Sequence, residues 1–61
     1  MTLIEIRHAI NSGHKVCWAT SRYEVYINKA GELAERDIYN GTGSLIDDDS
    51  AKRCFIKSDG V

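Results

Sequence analysis

Apolar and polar residues alternate with period two along Tyr23-Glu24-Val25-Tyr26-Ile27, the pattern of a strand with one face buried. Asn28-Lys29-Ala30-Gly31 follows, with Asn at the first position of a type I turn and Gly31 where a G1 bulge needs a left-handed residue. The chain then returns over Glu32 to Tyr39, so a β-hairpin is the organising element. Setting Ile27 opposite Leu33 fixes the register. Tyr26 then faces Ala34, Val25 faces Glu35, and Glu24 faces Arg36 in a weak cross-strand ion pair. Glu35-Arg36-Asp37 interrupts the apolar pattern, so one side of the sheet is expected to be wet there, as antiparallel sheets allow.

Upstream the period changes. Leu3, Ile6, Ala9 and Ile10 share a narrow stripe of a helix, with Ile4 and His8 on the opposite flank. Thr2-Leu3-Ile4-Glu5 has the form of a capping box, and Gly13 after Asn11-Ser12 is a stop signal. These bounds predict a helix from Leu3 to Ser12, burying Leu3, Ile6 and Ile10 while Arg7 and Asn11 stay exposed.

Lys15 to Thr20 reads as a first strand, with Val16 and Trp18 on one face and Cys17 and Ala19 on the other. Ser21-Arg22 would be a tight connection into the hairpin. Asn40-Gly41 marks a turn, and Ser44-Leu45-Ile46 a short further strand. Asp47-Asp48-Asp49-Ser50 is a polar loop that can start one helical turn through Ala51 and Lys52, with Asp49 the expected cap. Arg53 to Lys57 is the last strand and residues 58–61 a frayed tail. The expected fold is α+β: one domain over residues 1–61, an N-terminal helix packed on an antiparallel meander of three to five strands.

One helix cannot cover both faces of such a sheet. The stripe is expected to pack on Trp18, Val25, Ile27 and Leu33. Tyr26, Ala34, Ile38 and Phe55 are left on a second face, open or covered by another chain.

Composition narrows the class. A chain with 43% hydrophobic residues, 28% charged residues and a net charge of −1 has enough apolar surface to fold and no global basic field for nucleic acid. No apolar run approaches the roughly 20 residues of a membrane span, and no cationic-apolar leader is visible. The expected compartment is therefore the cytoplasm. Cys17 and Cys54 are too few for a disulfide framework, and they would pair only if their strands are neighbours.

Leu3, Ile6, Ala9-Ile10, Gly13, Val16, Trp18, Tyr23, Val25, Gly31 and Asn40-Gly41 fall in an order that resembles small proteins encoded by bacteriophages and prophages. In those proteins a short helix precedes a Trp strand, a Tyr-Val strand and an Asn-Gly turn. The resemblance covers roughly residues 3 to 46 and departs after Gly43, where Ser44 and three aspartates replace a more apolar segment. It implies a fold and a phage-type origin, and carries no catalytic residue.

Candidate chemistry is sparse. His8, His14, Cys17 and Cys54 lack zinc-motif spacing, and Asp47-Asp48-Asp49 lacks the alternate ligands and closing Glu of a calcium loop. Cys17 near His14 lacks the third group and cleft of a nucleophilic site. No enzyme activity, cofactor or metal is expected. The favoured function is a small binding protein, phage- or prophage-encoded, that contacts a host or phage protein. Its candidate face is Tyr26, Ala34, Arg36, Ile38 and Tyr39, which a homodimer would also cover. The alternative is a single-stranded nucleic-acid module stacking bases on Tyr26 and Tyr39 beside Lys and Arg. Glu24, Glu32, Glu35 and Asp37, interleaved with those cations along the chain, argue against it.

Overall fold

Thr2 begins the fold by capping helix α1 (Leu3–Asn11). Its hydroxyl accepts from the Glu5 amide at 3.1 Å, and the Glu5 carboxylate accepts from the Thr2 amide at 2.8 Å. These bonds hold the Glu5 carboxyl below its ordinary range. At the other end Gly13, at φ +92°, closes a Schellman motif: its amide donates to the Ile10 carbonyl and that of His14 to the Ala9 carbonyl. The computed structural model describes residues 1–57, so the tail expected at 58–61 lies outside the described residues.

Five strands follow: β1 (Val16–Trp18), β2 (Thr20–Ile27), β3 (Leu33–Asp37), β4 (Gly43–Leu45) and, after the single-turn helix α2 (Asp48–Ala51), β5 (Cys54–Ile56). All neighbouring pairs are antiparallel, in the spatial order β4-β3-β2-β1-β5. The last strand thus crosses behind the meander to pair with the first. The expected α+β arrangement is the one observed.

The central hairpin has the predicted register throughout, from Ile27 opposite Leu33 to Glu24 opposite Arg36, and it extends to Tyr23 opposite Asp37. The turn works through Asn28, whose side-chain oxygen accepts from the amides of Ala30 and Glu32, both at 2.9 Å. Gly31 takes φ +81°, a value that costs a side-chain-bearing residue dearly.

Two connections differ from the sequence reading. β1 ends at Trp18, and Ala19 turns the chain at φ +62°, so β2 starts at Thr20 and absorbs Ser21 and Arg22. The register against β1 jumps there, from Cys17 opposite Glu24 to Trp18 opposite Thr20. Three residues of β2 therefore bulge out, bringing the Tyr23 ring edge-on to Trp18 at 5.3 Å. The cap of α2 is Asp47 rather than Asp49, because Asp47 has the extended backbone a cap requires and its carboxylate accepts from the Ser50 amide at 2.8 Å.

The core lies between α1 and one sheet face. Ile6, Ala9, Val16, Val25, Leu33, Ile46, Ala51 and Cys54 are buried there, with Leu3, Ile10, Trp18 and Ile27 half-buried around them. Ile6 is fully enclosed as expected, whereas Leu3 and Ile10 sit at the margin of the stripe. Among the described residues Trp18 Nε1 is a buried donor without an acceptor.

Candidate functional site

Among the described residues, the helices cover one side of the sheet. Directly opposed residues of neighbouring strands share a face, so the register assigns the other side without ambiguity. One row runs Phe55, Cys17, Glu24, Arg36, Gly43 across the five strands. The next row has Tyr26, Ala34 and Leu45 on β2, β3 and β4. Lys15 and Lys57 extend it, since the Lys57 amide donates to the Lys15 carbonyl at 2.8 Å in the same β1–β5 ladder.

This face is apolar at one side and cationic at the other. Tyr26, Asn28, Ala34, Arg36, Gly43 and Leu45 line an open hollow of about 300 Å³. Ala34 forms its floor and is 5% exposed, while Leu45 at its rim is 56% exposed. The Arg36 guanidinium lies over the Tyr26 ring at 5.2 Å from its centroid and reaches Glu24 at 3.6 Å. Gly43 is required at the back of the hollow, because a Cβ there would collide with the Glu35 carbonyl of β3.

Of the five residues the sequence placed on this face, the structure brings Tyr26, Ala34 and Arg36 together. Ile38 borders them on the same side, and Tyr39 is set apart. β3 ends at Asp37, but the Ile38 amide still donates to the Arg22 carbonyl at 3.0 Å, which sets Ile38 opposite Arg22 one row beyond Glu24 and Arg36, while Tyr39 belongs to the turn that follows. Asp37 directs that turn: its carboxylate accepts from the Tyr39 amide at 2.8 Å and from Arg22 Nε at 2.9 Å, so the chain curls out of the ladder after Ile38. Arg22 in turn lies 5.0 Å from the Tyr39 ring centroid. That ion pair, then solvation by the Tyr39 amide, holds the Asp37 carboxyl below its usual range despite its burial, and the same hydrogen bond raises Arg22. Phe55 is exposed on this face, where the sequence pattern also put it, and Leu45 is an exposed member that the sequence reading did not include. The alternation Ser44-Leu45-Ile46, with Ile46 buried, is the signal that would have found Leu45.

The carboxylates interleaved with the cations along the chain separate in space. Glu35 and Asp37 alternate with Arg36, so they fall on the helix side, where Glu35 accepts from the Ser44 hydroxyl at 3.0 Å. Among the described residues, the ladder pairs place Lys15, Lys57, Arg36 and Arg22 on the open face as cations, the last bonded to Asp37, and Glu24 there as the anion.

The cysteines are in neighbouring strands but on opposite faces, because Cys17 opposes Phe55 and Trp18 opposes Cys54. Both are buried and free. Burial pushes the Cys17 thiol up, against the ammonium groups of Lys57 and Lys15, and burial likewise raises Cys54. His8 and His14 are exposed, on α1 and in the loop after it, and Cys17 is enclosed. Among the described residues no three His, Cys, Asp or Glu side chains gather where they could hold a metal ion. No helix among them is long and apolar enough to cross a membrane.

Comparison with protein families, characterised proteins and solved structures finds no match to this chain.

Proposed function

We propose that this chain is a small binding protein of bacteriophage or prophage type, acting in the host cytoplasm through contact between its open sheet face and a host or phage protein. One observation carries the reading. The face opposite the helices holds Tyr26 with an arginine over its ring, beside a hollow rimmed by Leu45 and with Phe55 on the same side. Tyr and Arg set against exposed apolar side chains is the composition of an interface centre. The order of core and turn residues that resembles phage proteins supports the origin.

The nucleic-acid reading gains from the separation of Glu35 and Asp37 from Arg36. It loses more from the rings. Trp18 and Tyr23 pack edge-to-face with each other, and Tyr26 and Tyr39 each carry an arginine over the ring where a base would stack. Protein contact is therefore favoured.

The test is affinity capture from bacterial lysate with the wild-type chain, Tyr26→Glu and Ile4→Glu. Ile4 is 81% exposed on the far side of α1 and serves as a surface control. A specific partner kept by Ile4→Glu and lost by Tyr26→Glu supports the proposal. A partner kept equally by both variants contradicts it.

A further inference from the structure

Resting on the reading of the open face as a protein-contact surface, we infer that its partner presents an acidic, apolar-tipped segment laid across the strands. The inference comes from the order of side chains along one row: Lys57, Lys15, Tyr26, Ala34, Leu45. Two cations stand at one end, an aromatic ring in the middle and an apolar hollow at the other end.

Among the described residues neither Lys15 nor Lys57 has an ion-pair partner, whereas Arg36 is matched by Glu24 within the face. The uncompensated charge of the face is thus positive and lies at the β1–β5 end. Among the described residues, the carboxylates other than Glu24 lie elsewhere: Glu5 on α1, Glu35 and Asp37 on the helix side, Glu32 in the hairpin turn, and Asp47, Asp48 and Asp49 around α2. A second copy of this chain would bring the same lysines and arginine to the contact. Its own face therefore supplies the wrong sign, and a partner of opposite charge fits better.

The spacing sets the size of the segment. From Lys15 to Leu45 there are three strand spacings, about 14 Å, which four residues of extended chain cover at about 3.4 Å each. A peptide Glu-Glu-Gly-Phe-Leu has that reach, with its leading carboxylates at the Lys15 end of the row, beside Lys57, and its apolar end over the hollow beside Ala34 and Leu45. Nucleic acid is the competing polyanion, and the experiment separates the two.

The measurement is NMR titration of the full chain, with that peptide, with Lys-Lys-Gly-Phe-Leu and with a twenty-nucleotide oligo-dT as three separate probes. The inference expects the acidic peptide to shift the amides of Lys15, Tyr26, Ala34 and Leu45 while leaving α1 unmoved. Its apparent affinity should fall by about fivefold or more in the double variant Lys15→Glu, Lys57→Glu, as expected for a reversed surface charge pair. Both lysines are exposed, so the variant keeps the core intact, and its unchanged α1 spectrum verifies that. Equal binding of the lysine peptide, an unaltered affinity in the double variant, or no shift on the face overturns the inference. So does oligo-dT shifting the same amides more strongly than the peptide. In any of these cases a captured partner that is still lost by Tyr26→Glu leaves the protein-contact reading standing and removes only its acidic chemistry.

Discussion

Arg22 Nε donates to the Asp37 carboxylate at 2.9 Å, although the two residues lie on different strands and only Asp37 is shielded from solvent. The carboxylate also accepts from the Tyr39 amide, while the Asp37 backbone amide donates to the Thr42 carbonyl and its carbonyl accepts from Gly41. One residue therefore ends β3 and anchors the turn into β4. Because its folded-state pKa lies below the unfolded value, its contribution is fully present above the ordinary carboxylate range and is lost as pH falls through the lowered value. Stability should thus decline below about pH 4. Glu5 and Asp47, also held low by their capping bonds, lose their contributions in the same direction. Urea midpoints at neutral and acid pH should converge between wild type and Asp37→Asn as the pH drops, with the variant weaker at neutrality. A constant difference at every pH would contradict this account of Asp37.

Gly43 illustrates a position fixed by close approach. Its φ is ordinary, so conformational freedom is not the reason for glycine; the Glu35 carbonyl occupies the space a Cβ would need. Gly43→Ala should displace β4 and cost about 1–3 kcal/mol, as overpacking does. The hollow beside Tyr26 should be lost with it. Denaturant unfolding and amide shifts of Ser44 and Leu45 check both statements.

Ile6 is the side chain around which α1 docks, and it is fully enclosed by the sheet and α2. Ile6→Ala removes its burial and leaves a cavity, a loss of about 2–5 kcal/mol. A domain this small has about 3–5 kcal/mol to spare, so much of the variant should be unfolded at room temperature by far-ultraviolet circular dichroism. A cooperative unfolding transition equal to that of wild type would contradict the assigned core.

Most of the fold was legible because the pattern and turn signals agreed. The hairpin register followed from one choice, Ile27 opposite Leu33, made by a turn whose Asn28 and Gly31 do what those residue types do. The missed boundaries have local causes that periodicity does not encode. Ala19 adopts a left-handed conformation that favours glycine, so nothing marked it as a turn, and the bulge at Ser21 to Tyr23 depends on pairing with β1. The candidate face was half legible. Tyr26, Ala34, Arg36 and the bordering Ile38 follow from strand alternation, but Tyr39 leaves the ladder because Asp37 bonds to its amide and to Arg22. The basic end of the face stayed hidden for a related reason: Lys15 and Lys57 meet only through the non-local β1–β5 pairing.

That same pairing sets the thiols apart. Cys17 and Cys54 lie on opposite faces of neighbouring strands, and both are enclosed and held toward the neutral thiol. Native protein should react slowly with iodoacetamide and gain two labels only on unfolding, as mass spectrometry would show. An intramolecular disulfide forming readily under mild oxidation would contradict this register.

The central claim is that the sheet face opposite α1 is where a partner protein binds. Hydrogen exchange of the chain with and without its captured partner measures this most directly. The account predicts new protection in β2, β3 and β4 around Tyr26, Ala34 and Leu45, with Ile4 and the outer flank of α1 unchanged. Protection confined to α1, with the β3–β4 hairpin unaltered, would contradict it.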